Sequence, residues 1–468
     1  MPGAEGVASD PRHNWLATLI PADARRFHVD DAKLGGTLAH AGAELTEARP
    51  DVEIVSDAGA LLGNAPYAIV TLGFALPEGG SRLVRACRRA AGSLRARAQA
   101  IRSRRTLRRR GYPETFIIPW EWQQAVRLPW VRPRSELAWN ERFPLDALVV
   151  GSRRGRPPTV LDAALAQAGE QLSVSLDPEW PLATQAGLVV IAPTGVLRVA
   201  IGPALQQLER QRDVLATLDA SSPVPDIAGL VPWLLAEGKT GLAYWSLERR
   251  LPGSLAPSQP SGRLLQDCVD FLVALNGTGD NSVPKSSPAR DAGVIARACD
   301  PEGSGAVQRL GSRVEAALAE VPRVFVHGDF WSRNLLAESG RLVGVVDWEN
   351  GGPGRLPLLD LLQLQLNAVR SARHQFLGPA LIEYLLPWAQ AGGDELARGY
   401  AGRIGIEATP SLLETFVLAY WLDRVGHELE TCADRMERPL WMRQNVELVI
   451  DAVAQGGLLD RPPPPGSE

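Results

Sequence analysis

Short apolar runs separated by polar turns characterise the first third of the chain, and they predict buried strands. Val52 to Val55, Ala68 to Leu72 and Thr115 to Ile118 have the length and the β-branched content of such strands, and the stretches between them have helical composition. Strands that alternate with helices are typical of an α/β arrangement. We therefore predict an α/β domain of unknown role over residues 1–150.

The apolar pattern breaks at residues 151–158, where the sequence GSRRGRPP combines glycine, proline and charge. We place a linker at residues 151–164. Beyond it, Gly187 to Ala192 and Gly195 to Ile201 are two apolar runs joined by a two-residue turn, which predicts a β-hairpin.

A helix from Ala204 to Leu218 and a third strand from Leu242 to Leu247 follow this hairpin. Together they predict a small β-rich lobe at residues 165–253. From about residue 260 the apolar spacing is mainly helical, so residues 254–455 predict a helical lobe. Residues 456–468 end in RPPPPGSE, and because consecutive prolines cannot form a helix, they predict a flexible tail.

The composition is that of a globular protein, with 45% hydrophobic and 22% charged residues. The net charge of -4 gives no overall attraction to nucleic acid, so no nucleic-acid partner is expected. No apolar run approaches the roughly 20 residues that cross a bilayer, and the first residues lack the pattern of a secretory signal. The cysteines form no C-x-x-C pair and predict reduced thiols in a cytoplasmic protein; they are Cys87, Cys268, Cys299 and Cys432.

A strongly basic stretch runs from Arg82 to Arg110, with twelve arginines and no acidic residue. Leu83, Cys87, Leu94 and Ile101 recur in it at near-helical spacing, which predicts a basic amphipathic helix. We favour docking within the chain or simple solvation for residues 82–110. Peripheral contact with anionic lipid or with another polyanion is the alternative.

Another segment of this domain, YAIVTLGFALPEGGSRLVRACRRA, faintly resembles the later half of a class I methyltransferase domain. No G-x-G-x-G loop precedes it, and we assign no methyl transfer. A two-activity enzyme with a methyltransferase-like amino-terminal half stays open as an alternative.

Oxygen-bearing side chains follow two short apolar runs in the helical lobe. Val324 to Val326 stops at His327-Gly328-Asp329, with Asn334 five residues after the aspartate, and Leu342 to Val346 ends at Asp347. A hairpin between the runs would bring Asp347 beside Asn334 and Asp329. One carboxylate and one amide suit Mg²⁺, which takes few protein ligands and keeps water or phosphate oxygens as the others.

The sequence HGDFWSRN followed by VVDWE resembles the aminoglycoside phosphotransferase and choline kinase family, whose pattern is H-G-D-x-x-x-x-N and then a hydrophobic run ending in aspartate. The resemblance covers roughly residues 165–455. It implies an α+β, protein-kinase-like two-lobed fold, here preceded by the α/β domain. It also implies phosphorylation of a hydroxyl on a small molecule, such as a sugar, an amino alcohol or an antibiotic, with ATP or GTP and Mg²⁺.

The resemblance also implies roles for residues. Asp329 falls on the catalytic position, where the carboxylate orients the acceptor hydroxyl and takes its proton. Asn334 and Asp347 fall on the metal positions, and Asp360 on a position that braces the catalytic loop. His327 is expected to hold this loop through hydrogen bonds. Glu349 is a candidate for indirect support of the metal or for an exposed loop position.

The nucleotide-binding side departs from the family pattern. Arg198 is our candidate for the strand position that normally carries lysine. The alternative is that this chain has no equivalent of the lysine and that Arg198 is an ordinary exposed strand residue. The helix acid that pairs with this lysine has Gln211 in register and Glu209 two residues earlier. Two residues on a helix differ by about 200°, so Glu209 and Gln211 cannot both face the same cleft. The departures motivate a further alternative, a pseudokinase that binds nucleotide or acts as a scaffold.

The last part of the helical lobe is acidic, with nine acids and four arginines between residues 405 and 455. In the resembling family this lobe receives the acceptor, and an acidic surface would favour a cationic amine. Solvated helix faces explain the same charges, and we rate that interpretation higher.

Overall fold

The computed structural model of the chain describes residues 20–72, 98–120, 146–153, 158–176, 180–184, 187–221, 225–279, 281, 283–285, 287–431 and 435–455. Its contacts divide the described residues into two compact units. One unit lies within residues 9–209 and 234–250, and the other lies within residues 210–233 and from residue 251 onward. The mixture of helices and strands confirms the expected α+β composition of the fold.

A six-stranded mixed sheet forms the first part of the first unit, in the order β2-β1-β3-β4-β6-β5. Its strands are β1 (Arg26–Val29), β2 (Glu44–Leu45), β3 (Val52–Val55), β4 (Tyr67–Leu72), β5 (Glu114–Trp120) and β6 (Asp146–Ser152). The first four in this order are parallel, and β6 runs antiparallel to both β4 and β5. The three strands predicted for this region correspond to β3, β4 and β5.

Two α-helices and the 3₁₀ helix Ala58–Ala60 accompany this sheet in the described residues. Helix α1 (Ala32–His40) begins after Asp31, whose side chain accepts hydrogen bonds from the first backbone N–H groups and so caps the helix. Helix α2 occupies residues 98–109, which are the part of the predicted basic helix that the structure describes. Residues 82–97 of that prediction, with Cys87, lie outside the described residues.

A five-stranded antiparallel sheet completes the first unit, in the order β10-β11-β9-β8-β7. Its strands are β7 (Trp180–Thr184), β8 (Gly187–Ala192), β9 (Gly195–Ile201), β10 (Leu234–Thr240) and β11 (Ala243–Glu248). The predicted hairpin is β8 with β9, and the predicted third strand corresponds to β11. Helix α3 (Val160–Leu172) precedes this sheet, and helix α4 (Ala204–Ala220) follows β9 and crosses the unit boundary at residue 209.

Both sheets of the first unit share one hydrophobic core. Phe27 and Ile54 of the six-stranded sheet belong to the same buried cluster as Leu188, Val199 and Trp245 of the five-stranded sheet. Because these side chains bury their apolar surface together, the two sheets stabilise each other. The predicted linker at residues 151–164 lies inside one compact unit, and it overlaps the end of β6 and the first residues of α3.

The second unit is mainly helical. From residue 210 it includes the rest of α4, and its further helices are α5 (Pro225–Ala228), α6 (Gly262–Asn276), α7 (Pro288–Ala296), α8 (Pro301–Ala317), α9 (Leu359–Arg373), α10 (Leu377–Ala380), α11 (Leu386–Gln390), α12 (Glu395–Arg403), α13 (Pro410–Thr431), α14 (Pro439–Met442) and α15 (Leu448–Gln455). Two π-helical turns, Leu381–Leu385 and Arg443–Glu447, join α10 to α11 and α14 to α15.

Short strands pair within this helical unit and carry the predicted catalytic loop. They are β12 (Ser254–Leu255), β13 (Val324–Val326), β14 (Leu335–Glu338), β15 (Arg341–Val345) and β16 (Gly352–Arg355). β12, β14 and β15 form one sheet, and β13 pairs with β16. Helix α13 is buried along most of its length, because Phe416, Trp421 and Val425 all lie in the large core of this unit.

Among the helices in the described part of the chain, none is both long enough and apolar enough to span a membrane.

Candidate active site

The predicted catalytic loop begins where β13 ends. Val324 to Val326 are buried, and the chain then turns at Gly328, whose φ of +79° is unfavourable for other residues. A Cβ atom at this position would overlap the carbonyl oxygen of Asn350. Glycine is therefore required here for two reasons, and it lets the loop pass close to the segment that contains Asp347.

Asp360, in the first turn of α9, holds this loop through hydrogen bonds to its backbone. Its Oδ2 accepts a hydrogen bond of 2.7 Å from the backbone N–H of His327, and its Oδ1 accepts one of 2.9 Å from Gly328. Burial raises the pKa of Asp360, while these two backbone donors oppose the rise. The carboxyl is thus fixed between the loop and the helix.

His327 is fully buried and links the loop to the strand that precedes Asp347. Its Nδ1 accepts the backbone N–H of Asp329 at 3.2 Å, and its Nε2 lies 3.0 Å from the carbonyl oxygen of Val346. A carbonyl oxygen only accepts, so Nε2 carries the proton and Nδ1 does not. Both ring nitrogens of this neutral histidine are therefore used in structural hydrogen bonds.

Asp329 and Asn334 contact each other directly. The Asn334 Nδ2 donates to the backbone oxygen of Asp329 at 2.9 Å and to its Oδ2 at 3.0 Å. The short 3₁₀ turn Ser332–Asn334 brings the amide back onto the aspartate. Because Nδ2 is engaged with Asp329, the amide oxygen is the atom of Asn334 suited to a cation.

Asp347 follows β15 next to Asn334. The backbone N–H of Val346 donates to the carbonyl oxygen of Asn334 at 2.9 Å, and β14 and β15 pair Leu335 with Val345. Asp347 is half-buried and has a φ of +63°, a conformation that costs free energy in a residue other than glycine. The fully buried Trp348, which donates its Nε1–H to the Val345 carbonyl at 2.9 Å, anchors the chain immediately after it.

The donor set fits a magnesium ion. It offers a carboxylate from Asp347 and an amide oxygen from Asn334, both hard oxygen ligands, and Mg²⁺ commonly takes its other ligands from water and phosphate. No cluster of three or more His, Cys, Asp or Glu side chains that could hold a metal occurs among the described residues. Glu349 is half-buried two residues beyond Asp347, and its role stays a prediction.

Sequence reasoning missed the side chains that hold Asp329 from α9 and α13. The Arg424 Nη2 lies 3.0 Å from the Asp329 Oδ1, and its Nη1 donates to the Gly328 carbonyl at 2.9 Å. Gln363 donates its Nε2–H to the same Oδ1 at 2.9 Å, and Tyr420 donates its hydroxyl to the Gln363 Oε1. Tyr420 and Arg424 stand four residues apart and so share one face of α13, which was the available signal.

Arg424 remains charged in this position. Burial lowers its pKa, but the negative charge of Asp329, with those of Asp423 and Glu428, more than compensates, so the net pKa is raised. The Asp329 carboxylate thus has a permanent cationic neighbour.

Four donors fix the carboxylate of Asp329. Gln363 and Arg424 bind its Oδ1. Asn334 donates to its Oδ2, and the Trp331 Nε1–H donates to the same oxygen at 3.2 Å. The side chain keeps 21% of its surface exposed. A carboxylate that is rigid yet partly accessible can accept a hydrogen bond from an incoming hydroxyl and set its direction.

Arg198, the candidate for the nucleotide-binding lysine position, pairs with Glu248 on the neighbouring strand. Its Nε lies 3.2 Å from Oε1 and 3.3 Å from Oε2, and the two side chains are only 10% and 3% exposed. The interpretation of Arg198 as an exposed strand residue is therefore wrong. Sequence reasoning did not consider Glu248, because strand pairing brings the two residues together across 50 positions.

The two candidates on α4 for the helix acid that pairs with the family's lysine differ in burial. Gln211 is buried on the face of α4 that also carries Leu215 and Leu218, whereas Glu209 is half-buried. Their roles in nucleotide binding stay predictions.

Comparison with known proteins places the site within a recognised domain. Residues 184–400 match the model of the phosphotransferase enzyme family, APH. The match spans somewhat less than half of the chain and includes Arg198, Asp329, Asn334, Asp347 and Asp360. No curated protein sequence matches the chain significantly.

Solved structures similar to this chain include several aminoglycoside phosphotransferases. A thermostable mutant of APH(4)-Ia shares 18% identity, covers 62% of this chain and 99% of its own, and has a TM-score of 0.40. APH(3'')-Id from Streptomyces rimosus shares 19% identity, covers 56% and 95%, and has a TM-score of 0.37. ADP-bound APH(2'')-Ib shares 15% identity, covers 62% and 98%, and has a TM-score of 0.40.

At these identities and TM-scores the structural likenesses carry no weight in assigning an activity. The family model does, because it spans both HGDFWSRN and VVDWE. The resemblance deduced from these motifs is confirmed: residues 184–400 match the phosphotransferase enzyme family, and this match is consistent with an enzyme of the small-molecule kinase type.

Proposed function

We propose that the protein is an O-phosphotransferase that depends on Mg²⁺ and on ATP or GTP and phosphorylates a hydroxyl group of a small molecule. The acceptor class includes sugars, amino alcohols and aminoglycoside-like antibiotics. The observation that carries the proposal is the rigid Asp329 carboxylate beside the Asn334 amide, with Asp347 following the strand hydrogen-bonded to Asn334.

In the proposed mechanism, Asp329 accepts a hydrogen bond from the acceptor hydroxyl and points its oxygen at the γ-phosphorus. As the new P–O bond forms, the bond to the departing nucleoside diphosphate breaks, and the hydroxyl proton passes to Asp329. Such transfers proceed through a loose and highly charged transition state, so positioning contributes most of what the protein supplies. The four donors around Asp329 support this role.

Asn334 and Asp347 would hold the metal ion through the amide oxygen and the carboxylate. When bound, Mg²⁺ neutralises charge on the phosphate oxygens. His327 and Asp360 keep the loop in the geometry that this arrangement needs, as their hydrogen bonds to the loop backbone indicate. Glu349 is a further candidate for support of the metal ligands.

The ion pair of Arg198 with Glu248 favours a second candidate function, a nucleotide-binding scaffold without turnover. A guanidinium held by a buried carboxylate has fewer donors left for phosphate. The retention of Asp329, Asn334 and Asp347 favours the enzyme, because a scaffold needs none of these residues.

We also infer a cytoplasmic location. Cys268 and Cys299 are free thiols, and burial raises the pKa of Cys268 to about 12 and that of Cys299 to about 11. Thiols of this kind are typical of a reducing compartment. Cys87 and Cys432 lie outside the described residues.

An acceptor screen tests the proposed function. ADP or GDP release is measured with ATP or GTP against a panel of sugars, amino alcohols and aminoglycosides, with Mg²⁺ and with a chelator. We expect nucleotide turnover that requires both one acceptor class and Mg²⁺. Magnesium-dependent nucleotide binding without turnover on any acceptor would instead support the scaffold.

A further inference from the structure

Two arginines of α2 converge on one hydroxyl group. The Nε atoms of Arg104 and Arg108 each donate a hydrogen bond of 3.1 Å to the Oγ1 of Thr115, at the start of β5. The two arginines are one helical turn apart and thus lie on the same face of the helix. Their guanidinium groups are held close together by a partner that carries no charge.

Neither arginine forms a salt bridge with a carboxylate of the described residues. Glu114 is adjacent in sequence, but successive side chains of a strand point to opposite faces. Burial lowers the pKa of Arg104, and the charge of Arg108 lowers it further. Two guanidinium groups that donate to the same hydroxyl oxygen lie close enough to repel each other, and an anion between them would offset the repulsion.

The cluster of Arg104, Arg108 and Thr115 offers hydrogen-bond donors and no free acceptor. A hydroxyl has two acceptor lone pairs and one O–H donor, and the two arginines occupy both lone pairs of Thr115. The hydroxyl can then act only as a donor. The terminal Nη groups of Arg104 and Arg108 are donors as well, so the cluster is suited to a ligand that only accepts hydrogen bonds.

We propose that Arg104, Arg108 and Thr115 bind a phosphate-type oxyanion. The source of the oxyanion is either free inorganic phosphate or the phosphoryl group of a small phosphomonoester, because both present acceptor oxygens and negative charge that guanidinium groups recognise. The site lies in the first unit and is independent of the proposed phosphotransferase function.

The neighbouring arginines have a supporting electrostatic role. Arg105 and Arg109 are exposed on the same helix and add positive potential around the site. Arg110 and Arg153 are engaged elsewhere: Arg110 donates to the carbonyls of Leu61 and Gly59, and Arg153 donates to the Gly63 carbonyl. The contacts of Arg110 are a case of docking within the chain at the end of the basic stretch, where docking or simple solvation was the favoured interpretation.

Equilibrium dialysis of the full chain against radiolabelled inorganic phosphate tests the proposal. We expect one saturable site whose affinity falls at least tenfold in Arg104→Gln and in Arg108→Gln. Arg105→Gln is the matched control, because it removes the same charge from an adjacent exposed position, and it should retain affinity within about twofold of the wild type. Displacement of the label by glycerol phosphate would identify phosphomonoesters as ligands, and lack of displacement would restrict the site to free phosphate.

Thermal unfolding checks that the variants fold. In phosphate-free buffer, Arg108→Gln should have a Tm no lower than the wild type, since the substitution relieves repulsion. Phosphate should raise the Tm of the wild type and of Arg105→Gln but not of Arg108→Gln. Equal phosphate binding in all variants, or equal loss in Arg105→Gln, would overturn the proposal, because the anion would then bind elsewhere or respond only to net charge.

Discussion

The guanidinium of Arg424 lies 3.0 Å from the Oδ1 oxygen of Asp329 and also donates to the carbonyl of Gly328, so one side chain of α13 holds both the proposed catalytic carboxylate and its loop. The two residues are 95 positions apart in the sequence. This contact makes the geometry of the proposed catalytic residue depend on a helix that provides no residue of the HGD motif.

Arg424→Ala should lower kcat by about 10- to 100-fold, because Asp329 loses a fixed orientation without losing its carboxylate. Arg424→Lys should be intermediate, since it keeps the charge and loses the second donor. Initial rates at saturating nucleotide measure this effect. Arg443→Ala removes an exposed arginine of the same unit and should leave kcat unchanged. A kcat for Arg424→Ala within twofold of the wild type would show that Asp329 is positioned without it.

Gly328→Ala should destabilise the protein by at least about 2 kcal/mol more than Gly340→Ala. Both glycines have positive φ, +79° and +73°, but a Cβ meets the Asn350 carbonyl at Gly328 and open space at Gly340. The pair of variants therefore isolates the steric overlap from the backbone strain. Urea unfolding midpoints provide the measurement, and equal midpoints would mean that the loop accommodates the extra atom.

Arg198→Ala should cost about 3–5 kcal/mol of stability, because it leaves the buried carboxylate of Glu248 without its cation. Replacing both residues with methionine should recover much of this loss. The double variant also separates stability from ligand binding. If it folds yet binds nucleotide at least tenfold more weakly, Arg198 contributes to nucleotide binding; unchanged binding would limit the pair to a structural role.

Asp291 should make stability depend on pH. Burial raises its pKa to about 7, the charge of Asp423 adds to the rise, and Arg355 and Arg290 oppose it. An acid with a raised pKa in the folded state stabilises the fold below its unfolded pKa of 3.8, and this contribution is lost as the pH rises through about 7.

The wild type should therefore lose up to about 4 kcal/mol between pH 4 and pH 8, as an order of magnitude. Asp291→Asn should lack this loss, and the exposed Asp451→Asn should retain it. Unfolding in urea at pH 5 and at pH 8 compares the three proteins. If the free energy of unfolding of the wild type and of Asp291→Asn changes equally with pH, Asp291 stays ionised in the folded protein.

Local patterns predicted those parts of the fold that are continuous in sequence. β3, β8 and β9 have strong apolar runs, and the motif around Asp329 combines such a run with a short loop. β10 was missed because its sequence, LLAEGKT, is largely polar and lies at the edge of the sheet. The shared core of the two sheets in the first unit was also missed, because it forms from segments that are distant in the chain.

The same limit applies to the site. Asp329 and Asn334 lie five residues apart, and their contact follows from a single turn, so their sequence spacing was informative. Arg424 and Glu248 reach their partners only through helix packing and strand pairing. No spacing rule links them to Asp329 or Arg198.

Acceptor-dependent nucleotide turnover by Asp329→Asn, measured beside Mg²⁺-dependent nucleotide binding, is the most direct test of the proposed phosphotransferase. The substitution preserves the shape of the side chain and removes the group that takes the proton. We expect turnover to fall by about 10²- to 10⁴-fold while nucleotide affinity stays within about threefold of the wild type. Turnover at the wild-type rate would contradict the assignment of Asp329 as the catalytic residue.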